Sequence, residues 1–283
     1  MRQDKLLLFL LRACACASGV IVLIILGFLL LESWPMLSGG VGRFFSDSGW
    51  HPNGGAPQFN LLPMLIGTLL VTALAVVIAT PMGIASALFC HFYAPPMLAK
   101  GYRRLIELLA GIPSVVYGFW GLVVLVPIIA RIQAPGPSLL AGVIILTIMI
   151  LPTIALVADA NFANLPEDYL KGAAALGLSR WGTIYGVVLP SARSGLITGV
   201  ILQTGRAIGE TMAVLMVCGN VVRTPQRLFD PIRTLTANIA LEMAYATGEH
   251  RVALFVSGLM LISVTAVLLT LAWRLRGHQH APQ

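Results

Sequence analysis

Arg206 and Glu210 stand four residues apart in GRAIGETMAV, residues 205–214, a stretch that is otherwise apolar. An arginine presents a planar fork of donors that matches an oxyanion. A carboxylate beside it accepts a hydrogen bond from an anion that still carries a proton, as hydrogen phosphate does near neutral pH, and repels one that carries none, such as sulfate. The four-residue spacing places both side chains on one helix face, within reach of each other. Two readings stand at this point. The pair neutralises itself and locks its helix against neighbours, or it meets an anion that passes through.

The elements that hold these charges are apolar throughout. The chain has 283 residues, 58% hydrophobic and 10% charged, far from the roughly half apolar and quarter charged mixture of soluble domains. Six runs, at 8–31, 61–90, 108–130, 138–158, 194–219 and 252–273, reach the roughly 20 residues needed to cross a hydrocarbon core. The fold class expected is an all-α integral membrane protein with six transmembrane helices. MRQDK followed by ACACA imitates a signal peptide, but apolar sequence continues to Leu31, which favours a retained first helix. The expected organisation is a first helix with an external loop over 1–60, a core of five helices over 61–273 with a cytoplasmic region at 161–193, and a cytoplasmic tail at 274–283.

The net charge of +7 falls in short clusters between the apolar runs instead of one stripe. That pattern reads as a topology signal and not as a nucleic-acid surface. With the amino terminus inside, eleven lysines and arginines lie on the cytoplasmic side against six outside, so both termini are expected there. If helix five starts near Ser194, Arg206 lies about 12 residues along it, ~18 Å at 1.5 Å per residue. A charge that deep costs roughly 2.5–3.5 kcal/mol and must face protein or water. Pro81, Pro152 and Pro113, the last within GIPSVVYG at 111–118, are expected to kink their helices, for packing or for gating. Cys14, Cys16, Cys90 and Cys218 lack metal-ligand spacing and read as small hydrophobes.

Residues 161–190 form the longest cytoplasmic segment. Pro166, Glu167 and Asp168 open a helix, Gly177 breaks it after Leu176, and a second piece through Trp181, Tyr185 and Val188 is expected to end near Pro190. Gly172, Ala173, Ala174 and Ala175 offer a small-residue face, with Leu176, Leu178 and Trp181 as apolar anchors for another protein. On the other side, residues 220–251 place Ile232, Leu235, Ile239 and Met243 three or four apart, which predicts an amphipathic surface helix.

The cytoplasmic segment resembles the coupling motif of ABC importer permeases: Glu-Ala-Ala, three residues, Gly, nine residues, then Ile-x-Leu-Pro. Lys171, Gly172 and Ala173 take the first places, Gly177 the glycine, and Val187, Leu189 and Pro190 the end, so the spacing matches while Lys171 stands where the family has an acid. GRAIGETMAV with CGN, GIPSVVYG and FDPIRTLTANIALE is similar to the phosphate ABC transporter permeases of the PstC type, over about residues 61–273. The resemblance implies a type I importer bundle (MetI-like) in the bacterial inner membrane. It also implies a substrate path at Arg206, Glu210 and Thr211, and ATPase coupling through Lys171, Gly172, Ala173, Leu176, Gly177, Trp181, Leu189 and Pro190. The implied partners are a PstA-type permease, an ATPase dimer that binds ATP and magnesium, and an external phosphate-binding protein. Arg223, Arg227 and Arg233 would contact the binding protein, guide the released anion, or simply be solvated.

No Gly-x-x-x-x-Gly-Lys-Ser/Thr loop is present, so ATP must be held by another subunit. A permease for molybdate or sulfate is the alternative within transport. An intramembrane enzyme using Glu210 as a base is disfavoured, because no His-Glu-x-x-His run or nucleophile and base pair occurs in the spans. A structural scaffold would leave the buried charges unexplained. No metal site or nucleic-acid partner is expected.

Overall fold

The computed structural model describes residues 2–53 and 56–277, with side chains from 7 to 274. The expected basic residues Arg2, Lys5 and Arg276, and most of the tail, therefore lie outside the side chains described. Six helical stretches are long and apolar enough to cross a membrane: Leu7–Leu37, Leu62–Tyr93, Ser114–Ile132, Leu139–Ala163, Arg180–Ile208 and Gly248–Arg274.

Two compact units divide the chain, one of residues 1–61 with 239–263, the other of 62–238 with 264–283. In the first, α1 (Arg2–Leu37) runs beyond the expected span and is followed by a short α2 (Arg43–Ser46). The expected loop carries more structure than its Gly and Pro content implies. Strands β1 (Trp50–His51) and β2 (Gln58–Phe59) pair antiparallel, with Trp50 opposite Phe59. Trp50 Nε1 donates to Glu242 Oε2 at 2.8 Å, and His250 Nε2 meets the same oxygen at 2.8 Å. All three side chains are buried, so this polar knot ties the hairpin to the turn that opens α13 (Gly248–Gly277).

The second unit is centred on α3 (Leu62–Leu88) and α7 (Leu139–Ala163), which lie side by side. Glycines set how closely helices approach. A Cβ at Gly83 would sit 2.7 Å from Ile154, and one at Gly142 would run into Cys218 Sγ. The core around this pair includes Val71, Ala75, Ala79, Ile145, Leu146, Ile150 and Ile154. Ser138 caps α7, its Oγ accepting from Ala141 N at 3.3 Å. The four cysteines are free thiols; Cys14 and Cys16 are exposed, Cys90 and Cys218 buried.

The third expected span, 108–130, is divided. α4 (Pro96–Gly111) is a separate amphipathic helix, and the chain turns extended at Ile112 and Pro113 before α5 (Ser114–Trp120) begins. A residue before proline is driven out of the α region, so Pro113 ends one helix and opens the next. α5 continues through a π turn at Gly121–Leu125 into α6 (Val126–Ile132).

Three π turns, at Phe89–Tyr93, Gly121–Leu125 and Ile184–Val188, share one context. A proline follows two residues after each, at Pro95, Pro127 and Pro190. The residue before each proline, Ala94, Val126 or Leu189, donates its N–H to a carbonyl five residues back. Proline lacks that donor and its ring clashes with the carbonyl four back. At Pro127 and Pro190, where the helix runs on, the wider turn removes the clash; at Pro95 the chain has already left the helix, extended at Ala94. Pro190 for this reason does not end the helical piece, as expected from sequence; α9 (Arg180–Thr183) passes through the π turn into α10 (Leu189–Ile208).

Candidate functional site

The fifth span differs most from its expectation of 194–219. It begins at Arg180 and stops at Ile208, and after Gly209, Glu210 and Thr211 a separate short α11 (Met212–Val217) begins. Local competition for backbone groups produces the break. The Glu210 carbonyl, which would accept from Val214 in a continuous helix, accepts from Thr236 Oγ1 at 2.8 Å. The Glu210 carboxylate folds forward, Oε1 accepting from Ala213 N at 3.3 Å in the first turn of α11. Thr211 Oγ1 donates to the Gly209 carbonyl at 3.1 Å.

Arg206 and Glu210 thus do not share the face of one continuous helix. The four-residue rule fails because the helix it assumes ends between them. No ion pair joins them among the described residues. Arg206 is exposed on a stripe with Leu202 and Gly209, while Gln203, Ala207 and Ile208 point into the chain. Glu210 and Thr211 are half-buried, and Glu210 Oε2 makes no hydrogen bond among the described residues. α5 lies against α11, where a Cβ at Gly118 would be 2.8 Å from Ala213 Cα. The glycine that ends GIPSVVYG is therefore what lets the backbones meet beside the break.

A second arginine and carboxylate, overlooked as a site in the sequence, meet elsewhere in this unit. Arg103 on α4 donates through Nε and Nη2 to Asp159 Oδ2 and Oδ1 on α7, at 2.7 and 2.9 Å. His91 Nδ1 lies 3.7 Å from the same carboxylate. The hydrogen bond to Asp159 raises the Arg103 pKa further above its ordinary value. The two residues are 56 positions apart, and only the apolar surroundings of Asp159 in LVADANFAN hint at a partner.

The segment after α7 is built from local signals. α8 (Glu167–Ala175) starts behind Pro166, with Glu167 and Asp168 in its first turn. Gly177, at φ +69, closes it: Gly177 N donates to the Ala174 carbonyl and Leu178 N to that of Ala173, at 3.0 and 3.1 Å. Ser179 then caps α9, accepting from Gly182 N at 3.1 Å. Lys171, where the motif has an acid, pairs with Glu167 at 2.8 Å. Leu176 is 80% exposed, Trp181 68%, and Trp181 stacks on exposed Tyr185 at 6.4 Å. Gly172 is also exposed, Leu189 half-buried and Pro190 exposed. Ala173 departs from the small-residue face expected of it, because its methyl is buried within the chain.

The other expected arginines separate. Arg233 is tied to the fold, Nε donating to the Asn220 carbonyl at 2.9 Å and Nη1 to Asn238 Oδ1 at 3.0 Å. Arg223 and Arg227 are exposed. Backbone N–H groups of Gln226 and Arg227 donate to Asp230 Oδ2 at 2.8 and 2.9 Å, and these bonds, aided by the charges of Arg223 and Arg227, hold its carboxyl below the usual range. The expected surface helix is α12 (Leu235–Glu242), but Ile232 and residues 234–238 are buried. Leu235 N donates to Thr68 Oγ1 on α3 at 3.0 Å, which draws the start of this helix into the bundle.

Six apolar spans, a charged break after the fifth and exposed apolar side chains at Leu176, Trp181 and Tyr185 mark an integral-membrane protein with a surface for a partner. The chain belongs to the family described as binding-protein-dependent transport system inner membrane component, matched over residues 79–278. It is similar to a probable ABC transporter permease protein, YqgH, of Bacillus subtilis, with 42% identity over 92% of this chain and 86% of that one. It is also similar to the phosphate transport system permease protein PstC of Mesorhizobium japonicum, at 34% identity over 92% and 87% of the two chains. Among solved structures, a bacterial ABC transporter involved in import of the acidic polysaccharide alginate shares the fold, at TM-score 0.61 and 14% identity over 96% of this chain and 98% of that one. The MetNI methionine ABC transporter in an inward-facing conformation gives TM-score 0.59 and 18% identity over 77% and 93%. The chain is therefore a multi-pass inner-membrane permease component of an ABC importer and not an enzyme; family membership implies a separate ATPase and a substrate-binding protein.

Proposed function

We propose that the chain is the PstC-type permease of a phosphate importer, forming half of the translocation path with a PstA-type permease. The names of its relatives support phosphate as substrate. The observation that carries the site reading is the Arg206 guanidinium, exposed from the chain and without an ion-pair partner among the described residues, in a segment flanked by apolar helix on both sides. An arginine facing lipid in that position costs roughly 2.5–3.5 kcal/mol. A water-filled path shared with the second permease removes that cost.

In this reading Arg206 attracts the anion, and Glu210 Oε2 accepts a hydrogen bond from the P–O–H that hydrogen phosphate retains and sulfate lacks. Thr211 adds a hydroxyl at the same break. Leu176, Trp181 and Tyr185, with Gly172, Pro190 and the backbone around Lys171 and Gly177, seat in the ATPase subunit, which binds ATP and magnesium. Ala173, Leu176's neighbour by one turn, and Leu189 support that surface from beneath. Arg223 and Arg227 meet the external phosphate-binding protein, and both termini lie in the cytoplasm. Movement of α8 on ATP binding and hydrolysis alternates access to the path.

The test is uptake of phosphate and sulfate by vesicles holding the assembled complex. Glu210→Gln keeps the size of the side chain and removes its charge, so discrimination against sulfate should fall by roughly tenfold or more, the effect of one charge-assisted contact. Unchanged discrimination and rate in an assembled complex would remove Glu210 from the path.

A further inference from the structure

Where α1 ends and α13 begins, the first unit encloses a cavity of about 310 Å³. Pro35, Met36, Gly39 and Val252 give it an apolar wall, while Arg43 and Glu249 bring one charge of each sign. Arg43 is held in place. Its Cζ stands 5.8 Å from the centroid of the Phe59 ring, and Nη2 donates to the Pro57 carbonyl at 3.3 Å. Nε and Nη1 make no hydrogen bond among the described residues. Glu249, in the first turn of α13, is exposed. Neither charge is taken by an ion pair among the described residues.

The position of this cavity along the helices decides what reaches it. α1 leading up to it is exposed and apolar, Val20, Ile21, Val22, Leu23, Ile24 and Ile25 all facing outward. Next to the cavity residues stands Trp34, exposed, the type of side chain that settles at headgroup level. The cavity thus opens where hydrocarbon gives way to water. A ligand arriving there brings acyl chains down α1 and a polar head up to the charges.

We infer that this cavity binds the headgroup of a phosphoethanolamine lipid, with the phosphate on Arg43 and the ammonium on Glu249. The charges select this chemistry. A glycerol headgroup offers the phosphate alone and leaves Glu249 facing an anion. A choline headgroup brings a cation without N–H donors, so it makes no hydrogen bond to the carboxylate. Phosphoethanolamine satisfies both residues. The inference is independent of the substrate proposed above, since Arg206 and Glu210 play no part in it.

The experiment uses the assembled complex in nanodiscs of mixed phosphatidylethanolamine, phosphatidylglycerol and phosphatidylcholine, followed by native mass spectrometry of retained lipid. The parent protein should retain phosphatidylethanolamine over the other two. Arg43→Ala should lower that retention roughly tenfold, and Glu249→Gln should abolish the preference over phosphatidylglycerol while leaving phosphate-bearing lipid bound. Should Arg43→Ala fail to assemble, Glu249→Gln at its exposed position carries the test alone. Equal retention of the three lipids by the parent, or an unchanged preference in Glu249→Gln, overturns the inference. O-phosphoethanolamine and inorganic phosphate, added at concentrations matching the lipid, should leave the lipid in place. Displacement by either would assign the cavity to a free anion.

Discussion

Two arginines in this chain face the same problem and meet it in opposite ways. Arg103 holds Asp159 through two hydrogen bonds, 2.7 and 2.9 Å long, which fasten α4 to α7. Arg206 has a carboxylate four residues away, yet the backbone breaks between them and turns that carboxylate toward Ala213 N. A bidentate pair is satisfied within its own chain and stays shut. The broken pair leaves one guanidinium and one carboxylate oxygen for something else. Arg103 sits on an amphipathic helix beside Lys100 and Arg104, and Arg206 in an apolar span; what separates their roles is whether a carboxylate partner is in place.

Replacing each arginine separates these roles, and the largest effect belongs to the open site. Arg206→Ala should lower phosphate uptake by roughly 100-fold, comparable with removal of one preorganised charge-stabilising donor, with no loss in the unfolding midpoint of the assembled complex. A destabilised Arg206→Ala complex would break the comparison, because the guanidinium would then be structural. Asp159→Ala should act the other way and cost about 2 kcal/mol of stability; the value for a buried pair is larger, but Arg103 is 40% exposed and solvent screens it. The double change Arg103→Ala with Asp159→Ala should cost less than the sum of the single changes, since it leaves no unpaired charge. Thermal unfolding of the complex in detergent measures all three.

The smallest effect sharpens the comparison with a third carboxylate, Asp230, which accepts from two backbone N–H groups and, among the described residues, from no side chain. Its folded pKa is depressed, so its contribution is present above the unfolded value and is lost as pH falls through the lower folded value. Hydrogen exchange at Gln226 and Arg227 should therefore quicken below about pH 4, the ordinary carboxylate range. Asp230→Asn should exchange at a rate that does not change with acidification beyond the chemical trend. Equal pH dependence in both proteins would show that Asp230 does not order the turn.

Much of the architecture was legible because length and hydropathy decide which segments cross lipid, and the Gly177 turn and the Pro166 start are written in adjacent residues. The finer site was not. Gly209, with Arg206 in the turn before it, is a helix-end signal, but apolar sequence resumes at Met212 and masks it, and the group that takes the Glu210 carbonyl is Thr236, 26 positions away. The same distance in sequence hid the Arg103 and Asp159 pair. Arg233 resembled Arg223 and Arg227 in sequence, yet Asn220 and Asn238 take its donors. In each case the missing information is a partner brought near by packing, which local patterns do not contain.

The π turn at Ile184–Val188 has a bearing on Arg206 as well as on Pro190. Such a turn holds one residue more than the α-helical path it replaces, and one residue corresponds to about 100° of rotation about the axis. Everything beyond it, out to the guanidinium, is phased by that extra residue. Shortening the chain by Gly186 would swing the arginine about a quarter of the way around its helix without touching any atom near it, so the direction in which this charge looks is set from the Arg180 end of the span.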